Sequence, residues 1–580
     1  MPERAHRPSR WQPLRHAALV ALALAATPLA AAPPAAAASE PWWAHAVIYE
    51  IYTRSFQDSN GDGVGDLAGI VSRLDYLQSL GVDALWLTPF FPSPQVDFGY
   101  DVRDYENVDP QYGSLADFDR LVAEARKRDM RIILDLVLNH TSEQHPWFVE
   151  AARSRSAPSH GWYVWSEGRR EGGMRRPPNN WVSQFGGSAW EYVPAVQQFY
   201  YHRFFRAQPD LNWRNPQVEH AMLEVMRFWL DRGAAGFRLD AVSALVEDAQ
   251  LRNAAPLGGR TAQGDARLSD AYTANLPETH AIVRRIRKAL GHYGEGPLLI
   301  AETYAQSTAQ LAPWYGGARR DELQLPMDTA FGFGDRLDAR EFRRRLGEAA
   351  ALPGGEPLLL FDNHDHARSW DRYGDGVHNA EIAKILATML LTSRSPVLIY
   401  QGEELGQPTA TAARVEDVRD PLGITGWPKE KGRDGERTPM QWDASAQAGF
   451  TSGRPWLPVA TGFEAVNVRT ELTDADSLLT WHKKLIALRR GDPALRSGRL
   501  VMLDAANTHV LSYARVTSEG SGILVALNMS AQPQTLTLSG TAAGFAGNRF
   551  RTLMSSPGEF AAAGTRLSLP PYGAWVAAVE

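Results

Sequence analysis

The feature that most constrains this chain is a regular alternation, from Trp42 onward, of short β-branched runs with amphipathic helical stretches. This alternation is typical of parallel β/α folds, because a helix must return the chain between parallel strands. The number of repeats approaches eight, which predicts a closed (β/α)8 TIM barrel rather than an open sheet. The candidate strands are Val47–Tyr52, Ala84–Leu87, Arg131–Leu136, Gly236–Leu239, Leu298–Ala301, Leu358–Phe361 and Val397–Tyr400, and the candidate helices are Leu67–Ser79, Leu115–Arg128, Val218–Asp231 and Thr279–Leu290.

Two parts of the chain depart from this rhythm. Residues 141–216 are rich in Trp, Pro, Gly, Asn and Ser, which predicts an irregular B domain inserted after the third strand. Residues 495–580 change to alternating strands with turn signals and predict a C-terminal antiparallel β-sandwich. The barrel itself is predicted in two parts, 42–140 and 217–490, and the sandwich strands at Val510–Val516, Gly522–Asn528, Thr535–Leu538 and Ala574–Val579.

The first 38 residues predict a signal peptide. Four arginines precede an apolar run from Ala17 to Ala26, and the small residues Ala35 to Ala38 offer cleavage positions. No later stretch is long and apolar enough to span a bilayer, so we expect no membrane span in the mature chain. These features predict export, either to the periplasm or outside the cell.

Composition narrows the class of partner. A formal charge of −6 over 580 residues gives no basis for binding nucleic acid or an anionic membrane. The 18 Trp, 18 Tyr and 21 Phe supply flat faces that pack against sugar rings as well as in a core. Core packing accounts for most of these aromatics, but they are compatible with a small oligosaccharide as the partner, and no organic cofactor is indicated. The oligomeric state is left open.

Three acidic residues, Asp240, Glu302 and Asp365, follow apolar strand candidates, where burying a carboxylate is costly without a functional reason. A glycosidase needs one carboxylate to attack the anomeric carbon and a second, protonated, to donate to the leaving oxygen. A third can stabilise the positive charge that develops on the sugar ring. Arg238, two residues before Asp240, points to the same side of its strand and is placed to hold that carboxylate ionised.

The order of several short motifs resembles the α-amylase superfamily of glycoside hydrolases, and within it the oligo-1,6-glucosidase and α-glucosidase group. The resemblance extends from about Trp42 to the end of the chain. It implies a barrel with an inserted B domain, a C-terminal sandwich and retention of anomeric configuration. The motifs are DLVLNH (135–140), QPDLN (208–212), GFRLDAV (236–242), LLIAET (298–303), FDNHD (361–365), FGYDVRDY (98–105), PPNNW (177–181), FGGSAWEY (185–192) and GRDGERTPMQW (432–442).

The same resemblance implies roles for individual residues. Asp240 is expected to be the nucleophile, Glu302 the general acid/base and Asp365 the transition-state stabiliser. The residues expected to bind the first glucose are Asp101, His140, Arg238, His364 and Arg437, with Tyr105 as a stacking platform and Arg433 as the alternative to Arg437.

Two further motifs bear on the substrate. QPDLN is the form of that motif found in enzymes acting on short oligosaccharides, which implies a pocket and exo action. The nucleophile is followed by Ala241, where relatives that prefer α-1,6 links often carry valine, so the smaller side chain favours α-1,4, maltose-like substrates.

The segment DSNGDGVGD predicts a cation site. The side chains of Asp58, Asn60, Asp62 and Asp66, with the carbonyl of Val64, repeat the first positions of an EF-hand loop. The bidentate glutamate of a true EF-hand is missing, because its position is taken by Gly69. We expect a structural Ca²⁺ ion, with Mg²⁺ as the alternative.

Two other functions are considered. A trehalose synthase-like isomerase or transglucosidase would share the covalent glucosyl intermediate, and VRDYENVDPQYGSL and YYHRFFRAQPDLN also resemble that group. Against it, His366 follows Asp365, where trehalose synthases usually carry glutamate. A non-catalytic transporter-associated ectodomain is disfavoured, because the catalytic motifs are intact and no membrane span is present.

Overall fold

The structure is a computed structural model and describes residues 40–293 and 296–579. Its centre is a closed barrel of eight parallel strands, each paired with its neighbours in sequence and the first paired with the last. The TIM barrel prediction is confirmed, and the strand between the fifth and sixth candidates was missed. In chain order the barrel strands are Val47–Ile51, Ala84–Leu87, Arg131–Val137, Gly236–Asp240, Leu298–Ala301, Leu325–Asp328, Leu358–Leu359 and Val397–Tyr400.

Side chains inside the barrel change character from one mouth to the other. Ile48 and Ile133 belong to an apolar cluster that fills the interior. Because side chains alternate along a strand, Glu50 and Asp135, two residues further on, also face inward. The carboxyl ends of the strands therefore place charged groups above an apolar floor.

Amphipathic helices surround the barrel. The helix Leu115–Arg126 begins at Ser114 with a capping box to Asp117 and buries Phe118, Leu121, Val122 and Ala125 at helical spacing. The single helix predicted over 67–79 is two helices, which meet at Arg73. The other α-helices of eight or more residues in the described ranges are Pro216–Asp231, Pro277–Leu290, Ala339–Ala351, Asn379–Thr392 and Leu478–Gly491. Shorter α-helices are Leu67–Ser72, Leu74–Leu80, Pro146–Ala151, Thr329–Gly332, Ser369–Arg372, Pro421–Gly426, Val468–Glu471, Pro493–Ser497 and Gly540–Ala543.

Small sheets occupy the insertion between the third and fourth barrel strands. One has three strands and the other is a hairpin, all antiparallel. A further hairpin follows the fourth barrel strand. The three-stranded sheet contains Trp165–Ser166, Gln198–Tyr201 and Trp190–Val193, and the hairpins are Arg169–Glu171 with Met174–Arg176 and Pro256–Arg260 with Ala266–Leu268.

The C-terminal region is a sandwich of two antiparallel sheets, as predicted. A shared apolar core, which includes Trp575, Leu536 and Leu567, lies between them. Residues Trp42–Glu580 form one compact unit, so the predicted boundaries within it remain predictions. The larger sheet runs Arg499–Leu503, Val510–Val516, Gly522–Asn528, Ala574–Val579 and Phe550–Ser556, and the smaller one pairs Gln534–Thr537 with Arg566–Leu569.

Two predictions concern targeting. The signal peptide predicted over residues 1–38 lies outside the described residues. Over the ranges that are described, no helix is both long and apolar enough to cross a membrane.

Candidate active site

Arg238 is the centre of a cluster of carboxyls at the carboxyl mouth of the barrel. Its Nη1 donates to Asp240 Oδ1 at 2.6 Å and to Asp135 Oδ1 at 3.0 Å, and its Nη2 donates to Glu302 Oε2 at 2.6 Å. Arg238 and Asp240 lie two residues apart on the fourth barrel strand, while Glu302 follows the fifth strand directly. The strand pairing therefore brings the two predicted catalytic carboxyls to one guanidinium.

Burial dominates the electrostatics of this pair. It raises the pKa of Asp240 to about 7, against the opposing effect of the Arg238 charge. Burial likewise raises the pKa of Glu302 to about 7, again opposed by Arg238, while the nearby Asp240 adds to the increase. Because the two acids contact one cation, they lose their protons as a pair, and burial disfavours the state in which both are ionised.

Asp365 lies in a contrasting environment. Its Oδ1 accepts from Arg437 Nη2 at 2.5 Å and from Arg433 Nη1 at 3.2 Å, and His364 Nε2 lies 3.4 Å away. Burial alone would raise the pKa of Asp365, but the charges of Arg433, Arg437 and Arg238 act to lower that pKa. The arginines beside it therefore favour the ionised form of Asp365. Both arginines reach this carboxylate, with the shorter contact from Arg437.

The two predicted histidines are fully engaged. The ring of His364 contacts Glu50 Oε1 through Nδ1 at 2.5 Å and the Tyr100 hydroxyl through Nε2 at 2.7 Å. His140 contacts the Tyr100 carbonyl through Nε2 at 3.1 Å and Asn139 through Nδ1 at 3.1 Å. Burial lowers the pKa of His140 to about 3, so this ring is neutral.

Asp101 and Tyr105 do not join the cluster, and the prediction for them is corrected. The carboxylate of Asp101 accepts from Ser93 Oγ and from the backbone N–H groups of Val96 and Asp97, at 2.9 to 3.0 Å, so it stabilises its own loop. The Tyr105 hydroxyl donates to backbone carbonyls, and its ring packs beneath Trp147.

Asp97 and Tyr100, rather than Asp101 and Tyr105, contact the acid cluster. Asp97 Oδ1 accepts from Arg433 Nη2 at 2.8 Å, which links it to Asp365 through one guanidinium. The Tyr100 hydroxyl donates to Asp135 Oδ2 at 2.9 Å, and its ring stacks on His364. The sequence points to this loop but not to these two members, since spacing does not show which acid faces the barrel axis.

The predicted cation loop is ordered by its own hydrogen bonds. Asp58 accepts from the backbone N–H groups of Asn60, Gly61 and Gly63, while Asp66 caps the following helix and accepts from Ser59. Throughout residues 40–293 and 296–579, no group of three or more His, Cys, Asp or Glu side chains is placed to hold a metal ion. The oxygen donors fit a hard cation chemically, but the carboxylates do not converge as predicted.

The structure combines an eight-stranded parallel barrel with two buried acids on one guanidinium and a third carboxyl beside two arginines, all at the carboxyl mouth. This is the arrangement that a glycoside hydrolase needs. Comparison with known proteins agrees. Residues 50–498 match the model of the α-amylase catalytic domain, and residues 500–576 match that of the maltogenic amylase C-terminal domain. The chain belongs to the α-amylase family and is a glycoside hydrolase of the α-glucosidase and oligo-1,6-glucosidase type.

Relatives of known name support this placement. A probable α-glucosidase of Rhizobium meliloti (strain 1021) is 42% identical, over 85% of this chain and 90% of the relative. An oligo-1,6-glucosidase of Parageobacillus thermoglucosidasius is 37% identical, over 84% of this chain and 90% of the relative. The crystal structure of the α-glucosyl transfer enzyme XgtA superposes with a TM-score of 0.84 at 41% identity. The match covers 93% of this chain and 100% of the XgtA chain.

Proposed function

We propose that the protein is a retaining, exo-acting α-glucosidase that hydrolyses short α-glucosides. Asp240 acts as the nucleophile, Glu302 as the acid/base and Asp365 as the stabiliser of the charged sugar. The observation that carries the proposal is the contact of both Asp240 and Glu302 with the same guanidinium, at 2.6 Å each. Retention requires the two carboxyls to be close, about 5 to 5.5 Å apart, so that one attacks the carbon whose leaving oxygen the other protonates.

In the first step, an oxygen of Asp240 attacks the anomeric carbon while Glu302 donates its proton to the glycosidic oxygen. In the second step, the ionised Glu302 accepts a proton from water, which displaces Asp240 and restores the starting state. Arg238 contacts both carboxyls, which favours a negative charge on the pair. The anionic Asp365 stabilises the positive ring in both transition states.

A ring of polar groups around this pair is suited to one terminal glucose. Asp97 and Arg433 lie beside Asp365, and within the described ranges Nη1 of the buried Arg437 has no protein partner. Such groups need hydroxyl partners, because a buried polar atom without a hydrogen bond is costly. We propose that Asp97, Arg433 and Arg437 bind glucose hydroxyls and that Tyr100 and His140 flank the ring, which supports exo action.

The linkage preference rests on Ala241. This residue follows the nucleophile in a left-handed conformation, with φ at 43°, and is completely buried. A β-branched residue is strained there, whereas alanine is small enough to leave space beside the nucleophile. We propose a preference for α-1,4 links and expect Ala241→Val to lower the ratio of kcat/KM on maltose to that on isomaltose. An unchanged ratio would remove Ala241 as the determinant.

The alternative, a trehalose synthase-like isomerase or transglucosidase, is favoured by the similarity to XgtA, whose name describes α-glucosyl transfer. Both reactions share the glucosyl-enzyme and differ in the molecule that captures it. Incubation with maltose, followed by chromatography, separates them. Hydrolysis predicts glucose as the sole product, whereas trehalose or longer sugars would show capture by a second sugar.

The acid pair makes a prediction about pH. Below the lower apparent pKa both carboxyls are protonated and the nucleophile is lost, while above the upper one both are ionised and the acid is lost. We therefore expect a bell-shaped dependence of kcat/KM on pH, centred near neutrality. In Glu302→Gln, assayed with p-nitrophenyl α-glucoside, whose leaving group needs no proton, the alkaline limb should disappear. A surviving alkaline limb would assign that titration to another group.

Ca²⁺ binding at residues 58–66 stays a prediction. The Asp66 carboxyl caps the following helix through one oxygen and contacts Ser59 of the loop through the other. If an ion binds the folded state alone, it stabilises that state by mass action. We expect EDTA to lower the midpoint of thermal unfolding and Ca²⁺ to restore it in the wild type but not in Asp62→Ala. An identical midpoint with and without EDTA would exclude a stabilising ion.

A further inference from the structure

Glu50 is a fully buried carboxyl that the proposed reaction does not use. It lies on the first barrel strand and faces the interior, beneath the mouth that holds the acid cluster. Its Oε1 lies 2.5 Å from Nδ1 of His364, and its Oε2 has no partner among the residues that the structure describes. Burying an ionised carboxylate is costly when one of its oxygens has no hydrogen-bond donor. The state of its proton is therefore decided by its neighbours.

Counting hydrogens fixes the direction of the contacts. The Tyr100 hydroxyl carries one hydrogen and lies 2.9 Å from Asp135 Oδ2 and 2.7 Å from His364 Nε2. Asp135 is paired with Arg238 at 3.0 Å, so it competes for that hydrogen as an anion. The phenol then donates to Asp135, and its oxygen accepts from Nε2–H of His364. The contact with Tyr100 therefore favours a hydrogen on Nε2 of His364.

Nδ1 of the same ring can be specified only by Glu50. Burial raises the pKa of Glu50 well above its usual value and lowers the pKa of His364 well below its own. The cations Arg238, Arg433 and Arg437 also disfavour a charged His364, while Asp365 alone opposes them. Arg238 and the backbone N–H of His364 lower the pKa of Glu50, but burial outweighs them. The net effect favours a neutral ring beside a neutral acid.

We propose that Glu50, as a neutral carboxylic acid, donates a hydrogen bond to Nδ1 of His364 and so fixes the tautomer in which Nε2 carries the hydrogen. Which ring nitrogen is protonated is set by the partner of the other one. Glu50 is thus a positioning residue that acts through His364. This step rests on the proposed function, in which His364 borders the glucose site beside Asp365, with Nε2 at 3.4 Å from that carboxylate.

Two substitutions separate a neutral donor from an anion. In Glu50→Gln the amide N–H can replace the acid O–H, so kcat/KM should stay within about threefold of the wild type. In Glu50→Met the side chain has similar length but no donor, which leaves Nδ1 unsatisfied, and kcat/KM should fall about 10- to 100-fold. Equal losses of kcat/KM in both variants would mean that Glu50 acts as an anion. An unchanged kcat/KM in Glu50→Met would mean that Glu50 does not contribute to turnover. Either result overturns the proposal.

A double-mutant cycle with His364→Asn tests the route of the effect. If Glu50 acts through His364, the methionine substitution costs little further activity in the His364→Asn background, whereas an undiminished loss contradicts it. Glu404→Met is the matched control, because Glu404 is also fully buried and accepts from the Tyr49 and Tyr76 hydroxyls at 2.7 and 2.6 Å, outside the site. It should lower the thermal midpoint and leave kcat/KM unchanged.

A spectroscopic readout keeps this inference independent of the activity. With ¹⁵N-labelled histidine, and His364→Asn to assign the signals, the ring of His364 should be the neutral Nε2–H form in the wild type and in Glu50→Gln. A doubly protonated ring, or the Nδ1–H form, would refute the assignment even in an active enzyme. If the tautomer is as expected but no α-glucoside is turned over, the proposed function fails and the positioning by Glu50 stands.

Discussion

Replacing Asp240 by asparagine should lower kcat on p-nitrophenyl α-glucoside by about 10⁴-fold or more, because the covalent step loses its nucleophile. The fold should be nearly unaffected. Asparagine keeps the size of the side chain and an oxygen for Arg238, which still pairs with Asp135 and Glu302 at 3.0 and 2.6 Å. The measurements are kcat and the midpoint of thermal unfolding, and a fully active Asp240→Asn enzyme would exclude the nucleophile assignment.

Azide distinguishes the two carboxyls by stereochemistry. In Asp240→Gly a small anion can enter the space left by the carboxylate and attack from that side, which should yield the β-glucosyl azide. In Glu302→Ala the glucosyl-enzyme still forms, and azide replacing water should yield the α-anomer. The reverse pairing of products with variants would exchange the assigned roles of Asp240 and Glu302.

The barrel could be predicted from sequence because its strands are buried on every side and return at regular intervals. The strand that escaped prediction, Leu325–Asp328, is four residues long and contains Pro326. Proline inside a short apolar run argues against a strand, since it lacks the N–H that a central ladder requires. This segment is nevertheless a strand because it pairs with the preceding barrel strand, Leu325 with Ile300 and Pro326 with Ala301.

The site was predictable to the extent that each residue's orientation follows from a strand. Arg238 and Asp240 share a strand face, so the two-residue spacing implied their contact, which the structure contains. Asp97 and Asp101 lie in a loop, where spacing does not determine the direction of a side chain, and it is Asp97 that contacts Arg433. The sequence did not indicate a role for Glu50. Its contact with His364, which is 314 residues away in the chain, is visible only in the structure.

Arg238 should matter to stability as much as to turnover. In Arg238→Met the side chain keeps its length, but Asp135, Asp240 and Glu302 lose the cation that each of them contacts. Removing one partner from a buried ionic cluster typically costs roughly 3 to 5 kcal/mol. We expect a loss of this order in the free energy of unfolding at neutral pH, together with a loss of activity. Arg238→Lys, which keeps the charge but not the forked geometry, should be less unstable and still poorly active.

The pH dependence of that loss is the sharper test, because its sign is determined. Without the guanidinium, burial raises the carboxyl pKa values in the folded state further above their unfolded values. The folded protein then binds more protons than the unfolded chain, so its stability falls as pH rises from about 4 through the raised folded pKa values. Denaturant unfolding of Arg238→Met at pH 5 and pH 8 should therefore show the larger deficit at pH 8. Adding Asp135→Asn, which removes one of the three unpaired carboxyls, should recover part of it. A deficit that is equal at both pH values, or unaffected by Asp135→Asn, would mean that Arg238 stabilises the barrel by packing rather than by charge.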